Sequence, residues 1–397
     1  MSSSARRTRP SVAARRARIA VTTLFVINAA LMANVIPRLP EIKDRLGLDN
    51  TWLGLAVAAM PVGSLLSGAL AGWMINKFGS ARVATSAAMV GGLILWTFGI
   101  SPAWIALAGS YFVLGLVDSL CDVAMNAHAM RVQRLYGRSI INGFHAWWSL
   151  GAVGGGAIGS LMAYLHVPLV WHIGAAGIVL TGCAVAASLA MLPGHDASER
   201  HDMADHDRPR RRPVVGILAA LGVITIGAAV VEDAPMTWGA LFMQNINGVG
   251  VGISGLAYVA GQGGMTMGRM VADRSVERYG THRVARYGGL FAAVMFSLVL
   301  LFPSAPMTVI GFGLASFGVA SIYPSTFTAA GNIPGLATGT GVAVVSFIAR
   351  FGFLLGPPAV GMISDASSLR VALILAPVAA LAIALLSPAL KPRTVAR

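Results

Sequence analysis

The chain has 397 residues, of which 56% are hydrophobic and 11% are charged, and its formal net charge is +14. This composition provides too little polar surface to cover a water-soluble globule of this length, which excludes a soluble enzyme or a soluble nucleic-acid-binding domain. Lipid must cover the hydrophobic excess, so the composition predicts an integral membrane protein.

Long apolar stretches recur along the chain and are separated by polar gaps. About 20 apolar residues cross a bilayer as a helix, and nothing here alternates as the strands of a membrane barrel would. The pattern therefore predicts an all-α membrane protein with twelve transmembrane helices. The predicted spans are residues 19–37, 51–75, 83–101, 104–130, 141–163, 170–192, 214–236, 252–272, 284–302, 307–329, 337–361 and 370–389.

Basic residues concentrate in alternate gaps, beginning with the N-terminal segment. Such an excess marks cytoplasmic loops, so both termini are predicted to be cytoplasmic in a bacterial-type inner membrane. The basic leader at residues 1–18 is better explained by contact with anionic lipid than with nucleic acid, and a cleaved signal peptide is the competing interpretation. The lysines and arginines outside these gaps are Arg38, Lys43, Arg45, Arg350 and Arg370.

A long polar interruption divides the chain into two bundles of six helices. A metal site at its histidines, His195, His201 and His206, is the alternative to a mobile linker, but the scattered charges lack ligand spacing and no metal is expected. The predicted domains are a basic cytoplasmic N-terminus at 1–18, helical bundles at 19–192 and 214–390, a cytoplasmic linker at 193–213, and a cytoplasmic tail at 391–397.

The two halves repeat each other at a fixed offset of 201 positions. The matched pairs are Gly79 with Gly280, Arg82 with Arg283, Gly151 with Gly352, and Gly155 with Gly356. A parallel repeat of six spans resembles the major facilitator superfamily, in which two bundles rock around a site at the membrane midplane.

In two loops, the resemblance to the superfamily extends to specific residues. Both look like the superfamily's loop signature, which implies a role in gating, and Asn76 stands where the family usually has Asp. A generic basic turn would explain one copy but hardly two in register. The first copy contains Gly72, Lys77, Gly79 and Arg82, and the second contains Gly268, Asp273, Arg274, Gly280 and Arg283.

Spans four and five resemble the fucose permease branch of that superfamily. The resemblance implies that a carboxylate with an asparagine one turn later takes part in sugar and proton handling. Two positions depart from it: His145 replaces an amide, and Ala33 stands where an acid is expected in the first span. The matching residues are Asp122, Asn126, Asn142, His145, Ser149, Gly151 and Ala152.

A polar stripe crosses the fourth span near the bilayer midplane. Asp118, Asp122 and Asn126 are spaced four apart, which places them on one face of a helix. Each acid costs about 2.5 to 3.5 kcal/mol at that depth. Burial and mutual repulsion favour protonation of such a pair, so both acids are predicted to couple solute movement to protons. Helix pairing or neutralisation of Arg350 is the alternative.

Further polar residues are candidate contacts to a solute: Asn28, Asn34, Asn126, Asn142, His145 and Arg350. Arg350 stays charged, so it needs an acid, a cluster of carbonyls or an anionic solute nearby. His145 is predicted either to relay protons or to pack through a hydrogen bond. The asparagines are predicted either to bind a hydroxyl-rich solute or to join helices.

Arg38 and Glu232 lie near the predicted outer ends of the first and seventh spans. They are predicted either to bridge the halves as a gate or to be solvated interfacial charges.

The expected function is secondary transport by a monomer. No lysine follows a phosphate-binding glycine pattern, and Ser254 in a GxSG-like stretch has no histidine base on its side of the membrane. We therefore expect no direct ATP drive, no catalysis and no cofactor. The expected partners are a small polar, sugar-like solute, protons and the lipid bilayer. Export of cationic or amphipathic compounds is one alternative, and a membrane enzyme or receptor is another.

Overall fold

The computed structural model describes residues 11–137, 140–194, 211–333, 336 and 338–391, and the regular structure within them is helical. Most of the predicted leader, linker and tail, at residues 1–10, 195–210 and 392–397, lies outside the described residues. The two predicted bundles can therefore be described, but the segment that joins them cannot.

The first half contains long helices that run back and forth through the bundle. A 3-10 turn at Ile36–Arg38 joins the first two helices end to end. Asp49 caps the third helix by accepting a hydrogen bond from the backbone N–H of Trp52 at 2.7 Å. The helices are α1 (Val12–Val35), α2 (Leu39–Leu46), α3 (Asn50–Phe78), α4 (Ser80–Ile100), α5 (Trp104–Tyr136), α6 (Ile141–Tyr164) and α7 (Leu169–Ser188).

The second half repeats this order with more interruptions. A π turn at Ala234–Trp238 separates its first two helices without breaking the rod that they form. The helices are α8 (Arg211–Asp233), α9 (Gly239–Asn245), α10 (Val251–Ser254), α11 (Leu256–Tyr279), α12 (Thr281–Leu301), α13 (Ala305–Val319), α14 (Ile322–Gly331), α15 (Thr338–Ala366), α16 (Leu369–Ala372) and α17 (Leu375–Leu386).

Two related glycines make the tight turns at one end of the bundle, which we call the motif end. Gly79 joins α3 to α4 with φ +85°, and Gly280 joins α11 to α12 with φ +82°. Residues with a Cβ rarely adopt these angles, so glycine allows a single residue to connect each pair of helices. The two turns lie 201 positions apart, which agrees with the repeat in the sequence.

In the described residues, ten helical segments are long and apolar enough to cross a membrane. The predicted spans 141–163 and 252–272 are not among the ten, although each corresponds to a helix of 24 residues, α6 and α11. The last three turns of α11 contain five charged residues, Arg269, Asp273, Arg274, Glu277 and Arg278, which lower the hydropathy of that helix. The structure thus shows an all-helical membrane fold.

Two rods extend further than the sequence predicts. The first and seventh spans were expected to end at residues 37 and 236, whereas the helical segments continue to Leu46 and Asn245. The reason is that the 3-10 turn and the π turn bend each rod without ending it. Arg38 and Glu232 therefore lie within continuous helical rods, 8 and 13 residues before the rods end at Leu46 and Asn245.

Each half has its own apolar core. The buried side chains of the first core range from Ala17 to Ala187, and those of the second range from Val214 to Leu390 and include Leu53 of α3. A small third cluster joins Ala33 and Ile36 of the first half to Tyr258 of the second. The halves are thus packed as two units that meet along a thinner interface.

The halves are in close backbone contact at the end opposite the motif end, which we call the closed end. There α3 packs along α15, and α6 packs against α10 and α11. A Cβ on Gly54 would lie 2.4 Å from the Pro357 carbonyl oxygen, and a Cβ on Gly252 would lie 2.4 Å from the Tyr164 Cα. Glycine at these positions lets the backbones touch, so the closed end is sealed by main chain.

Candidate functional site

Asp118 of α5 is tied to two neighbouring helices. Asn28 of α1 donates from Nδ2 to Asp118 Oδ1 at 2.7 Å, and Trp148 of α6 donates from Nε1 to Asn28 Oδ1 at 2.8 Å. The side chain of Asp118 is half-buried. This chain of hydrogen bonds fixes the carboxylate of Asp118 and uses both the nitrogen and the oxygen of the Asn28 amide.

Asp122 lies one turn further along the same face of α5 and is exposed. Asn126 donates from Nδ2 to Asp122 Oδ1 at 3.0 Å and to the Asp122 backbone carbonyl at 2.9 Å. Both bonds come from the helix that carries Asp122. The predicted stripe of Asp118, Asp122 and Asn126 therefore divides into an acid fixed between helices and an exposed acid.

Arg350 of α15 approaches the stripe from the second half. Its guanidinium lies close enough to Asp122 for an electrostatic interaction. Its Nη1 lies 3.7 Å from the position that a Cβ would take on Gly68 of α3. Because a charged arginine is costly inside a membrane, a nearby acid stabilises it. An acid of the first half thus lies within electrostatic range of Arg350.

A second charged group lies mainly in the second half. Glu232 of α8 and Arg269 of α11 are within electrostatic range of one another, and Tyr323 of α14 lies near both. Arg269 is also within electrostatic range of His145 on α6. Both charged groups therefore reach across the interface between the halves.

Arg269 lies inside the predicted eighth span, residues 252–272, but was counted with the basic residues of the gap that follows, so it was not recognised as a candidate site residue. Helix α11 continues to Tyr279, about 15 Å beyond Arg269. The available signal was spacing, since Tyr258, Gln262 and Arg269 recur at helical intervals and the first two are buried. Arg269 is therefore a residue of helix α11 and not of the turn that follows it.

The predicted solute contacts at the start of α6 lie nearer the motif end. His145 is exposed and meets the ring of Phe25 edge-on, with the ring centroids 5.1 Å apart. Asn142, one turn earlier, is also exposed. These two side chains extend the polar surface of the first half from Asp122 toward the motif end.

Two other predicted site residues are directed away from this surface. Asn34 is 3% exposed, and its Oδ1 lies 3.2 Å from His172 Nε2 within the first half. Arg38 is 1% exposed and pairs with Glu41 at 2.6 Å. Neither a gate between Arg38 and Glu232 nor a solvated interfacial charge describes Arg38 in this structure.

The closed end is instead held by Asp365 at the end of α15. Its carboxylate accepts hydrogen bonds from the backbone N–H of Asn50 at 3.0 Å, and from the backbone N–H and Oγ1 of Thr51 at 2.7 and 2.6 Å. These amides belong to the first turn of α3, where N–H groups lack helical partners and the helix dipole favours negative charge. Asp365 thus acts as a latch between the halves.

Replacing Asp365 with Ala is expected to weaken this latch by about 1 to 3 kcal/mol, because bonds to a charged acceptor contribute on that order. The population with the closed end open should rise roughly 5- to 150-fold. The measurement uses a chain in which Cys121 and Cys183 are replaced and Ala33, a buried residue between the halves, is changed to Cys. The rate at which a membrane-impermeant maleimide labels Ala33→Cys then reports the population with the closed end open.

Asp44→Ala is the matched control for the latch variant, because Asp44 is an exposed acid on the neighbouring helix α2. It should leave the labelling rate unchanged. Equal labelling rates in the Asp365 and Asp44 variants would show that Asp365 does not hold the closed end shut.

The first copy of the loop motif lies at the exposed end of α3. Lys77 is positioned over the rings of Trp73 and Phe78, at 4.9 and 5.3 Å from their centroids. Gly72 has open space where a Cβ would be, and Arg82 is exposed at the start of α4. This copy therefore presents basic side chains and aromatic rings to its surroundings.

The second copy is packed differently. A Cβ on Gly268 would lie 2.6 Å from the Phe317 carbonyl oxygen, so this glycine allows close contact between α11 and α13. Asp273, Arg274 and Arg283 are exposed. The two copies share their turn geometry at Gly79 and Gly280 but not their neighbours.

Comparison with known sequences gives a consistent result. The chain matches the family described as the Major Facilitator Superfamily over residues 21–302. It is 31% identical over 350 residues to an uncharacterized MFS-type transporter of Yersinia pestis, which covers 88% of this chain and 89% of the relative. It is 26% identical over 368 residues to the membrane protein MosC of Rhizobium meliloti, and this match covers 89% of this chain and 85% of the relative.

Solved structures share the fold at low sequence identity. The nucleoside transporter NupG superposes with a TM-score of 0.78 at 12% identity, covering 94% of this chain and 99% of the other. A bacterial homolog of the human lysosomal transporter Spinster, in an inward-facing and occupied conformation, superposes with a TM-score of 0.74 at 15% identity. The match covers 96% of this chain and 98% of the other. A D-xylose-proton symporter superposes with a TM-score of 0.72 at 14% identity, and the match covers 96% of this chain and 99% of the other.

Proposed function

The chain belongs to the major facilitator superfamily, and we propose that it is a proton-coupled secondary transporter of a small polar solute. Family membership and the transporters among its relatives support secondary transport. The finer parts of the proposal, which are the coupling ion, the solute and the route, rest on the charged side chains at the interface between the halves.

The observation that carries the proposal is the meeting of charges from both halves at one interface. Asp122 is exposed in the first half, and Arg350 of the second half lies within electrostatic range of it. Charged residues inside a membrane are costly and mark solute or proton pathways. Because the Asp365 latch holds the closed end, the solute enters and leaves this conformation from the motif end.

Protonation of Asp122 links protons to the movement of the halves. Ionised Asp122 attracts Arg350 and draws α5 toward α15, whereas protonated Asp122 carries no charge and releases Arg350 to contact the solute. Solute and proton thereby bias the same rocking motion. Asp118 transmits its own protonation through Asn28 to α1 and through Trp148 to α6.

The solute is a hydroxyl-rich molecule of sugar or nucleoside size. Asn126, Asn142 and His145 supply neutral donors and acceptors on the first-half surface. Two structural neighbours are named as a nucleoside transporter and a D-xylose-proton symporter, which supports this class. Membership of the fucose permease-like branch, indicated by spans four and five, is part of the same proposal.

The topology is twelve spans in a monomer, with both termini and the motif end in the cytoplasm of a bacterial cell. Helices α6 and α11 are the spans that complete the two bundles of six. Lys77, Arg82 and Arg283 at the motif end support this orientation, because basic residues concentrate on the cytoplasmic side.

Export of a lipophilic cation is the second candidate, and the acids near the interface favour it. Asp118, Asp122 and Glu232 would attract a cation, whereas Arg269 and Arg350 would repel it. A sugar-like solute fits this mixed surface better, because hydroxyl groups can donate to the acids and accept from the arginines.

A thermal-shift screen of the purified protein separates these candidates. Pentoses, hexoses, nucleosides and the lipophilic cation tetraphenylphosphonium are tested at two pH values. We expect a sugar or nucleoside to stabilise the folded protein by about 2.7 kcal/mol at 100 times its Kd. The stabilisation should differ between the two pH values, and Asp122→Asn should remove that difference. Stabilisation by the cation alone would contradict the proposed solute, and a pH-independent effect would contradict coupling.

A further inference from the structure

A groove in the second half lies outside the interface between the halves. It encloses about 520 Å³ between α11, α12 and α13 near the motif end, and we call it the lateral groove. Its lining is mainly glycine, aliphatic and aromatic, and Arg283 is the charged residue among the lining side chains. It is therefore an apolar space with a cation at one end.

Close glycine contacts form the back wall of the lateral groove. A Cβ on Gly288 of α12 would lie 2.1 Å from the Gly318 carbonyl oxygen of α13, and α11 approaches α13 in the same way at Gly268. Helix α13 is thus held against both α11 and α12. The space between the two latter helices is left unfilled as they diverge from the turn at Gly280.

Four small residues that line the lateral groove have larger counterparts at the repeat-related positions of the first half, 201 residues earlier, whereas its aromatic residues Tyr287, Phe291 and Phe317 have smaller ones. Ser275, Gly288, Gly318 and Ser321 of the lateral groove correspond to Met74, Ala87, Val117 and Leu120. Each of the four second-half residues is smaller than its counterpart. The shape of the lateral groove therefore depends on residues of the second half that the repeat does not share.

The lateral groove faces the perimeter of the bundle. On α11 its lining residues Gly268, Ser275 and Tyr279 share one helical face, whereas Arg269, which faces the interface, is rotated by about 100° from Gly268. Tyr287 of α12, which also lines the groove, is 66% exposed. In a membrane this perimeter is covered by lipid.

The dimensions of the lateral groove match one leaflet. From Gly268 to Tyr279 it extends about 16 Å along α11, close to half of the roughly 30 Å hydrocarbon thickness of a bilayer. Arg283 lies at its motif end, and Arg278 lies over the Tyr279 ring at 5.4 Å from the centroid. The lateral groove thus places basic residues at the end of a long apolar space, and a phospholipid places its phosphate at the end of long acyl chains in the same way.

We propose that the lateral groove binds one anionic phospholipid of the leaflet at the motif end, with an acyl chain between α11 and α12 and its phosphate at Arg283. Arginine suits this role because its planar guanidinium forms paired hydrogen bonds with phosphate oxygens. Basic pockets between membrane helices attract anionic headgroups on electrostatic grounds as well.

Native mass spectrometry of the purified chain with phosphatidylglycerol and phosphatidylcholine tests this site. We expect the unmodified chain to retain one phosphatidylglycerol in preference to phosphatidylcholine. Arg283→Ala should weaken that retention about fivefold or more, because one arginine near the surface contributes about 1 kcal/mol. Arg82→Ala is the matched control, since Arg82 is the exposed repeat-related arginine of the first half, and this variant should retain the lipid.

A second variant tests the acyl-chain part of the site. Ser275→Met with Ser321→Leu introduces the first-half residues at these two positions and should weaken lipid retention at least as strongly as Arg283→Ala does. Equal loss in the Arg283 and Arg82 variants, undiminished retention in the filled variant, or equal binding of phosphatidylcholine would each overturn the proposal. Arg283 and Arg82 are both exposed, so their comparison stays decisive if the filled variant fails to fold.

Discussion

Replacing Asp122 with Asn is expected to abolish solute accumulation driven by a pH gradient in proteoliposomes, while solute exchange without a gradient continues. Asparagine keeps the size of the side chain and can still accept a hydrogen bond from Asn126, but it cannot gain or lose a proton. One pH unit supplies about 1.4 kcal/mol per proton, so the unmodified chain should accumulate solute up to about tenfold per coupled proton. The variant should reach no more than equal concentrations on both sides.

Glu277→Gln is the matched control for this experiment, because it removes one negative charge from an exposed position on α11. Its accumulation should equal that of the unmodified chain. Uptake by Asp122→Asn that still followed the imposed gradient would contradict the proposed role of Asp122 in proton coupling. Loss of exchange together with accumulation would assign Asp122 to solute binding.

The parts of the site that the sequence predicted are those fixed by local spacing. Asp118, Asp122 and Asn126 lie on one face because residues four apart are neighbours on a helix, whatever surrounds it. The turns at Gly79 and Gly280 could likewise be predicted from the sequence, because each requires a backbone conformation that favours glycine. Such features depend on a few adjacent residues only.

The parts that the sequence did not predict depend on distant contacts or on bends. Asp365 meets Asn50 across 315 positions, and no local pattern links the two. The helical rods that carry Arg38 and Glu232 were predicted too short, because a 3-10 turn and a π turn continue these rods where the apolar pattern ends. Arg269 was missed because α11 extends past its apolar stretch into charged residues.

Substitution of Gly54 with Leu is expected to prevent the closed end from sealing and to reduce transport to a small fraction of its normal rate. A Cβ at this position would lie 2.4 Å from the Pro357 carbonyl oxygen and 3.0 Å from the Pro358 nitrogen. Both neighbours are main-chain atoms of α15, so no flexible side chain can move aside. The halves must therefore separate at the closed end.

The size of this effect follows from overpacking, which costs about 1 to 3 kcal/mol or more. The sealed population should fall roughly 5- to 150-fold, and maleimide labelling at Ala33→Cys should rise accordingly. Gly109→Leu is the matched control, because nothing lies within 4 Å of a Cβ at Gly109. Normal transport by the Gly54 variant would show that the chain works without sealing this end. Since alternating access requires each end to close in turn, that result would remove the mechanism on which the roles of Asp122 and Arg350 depend.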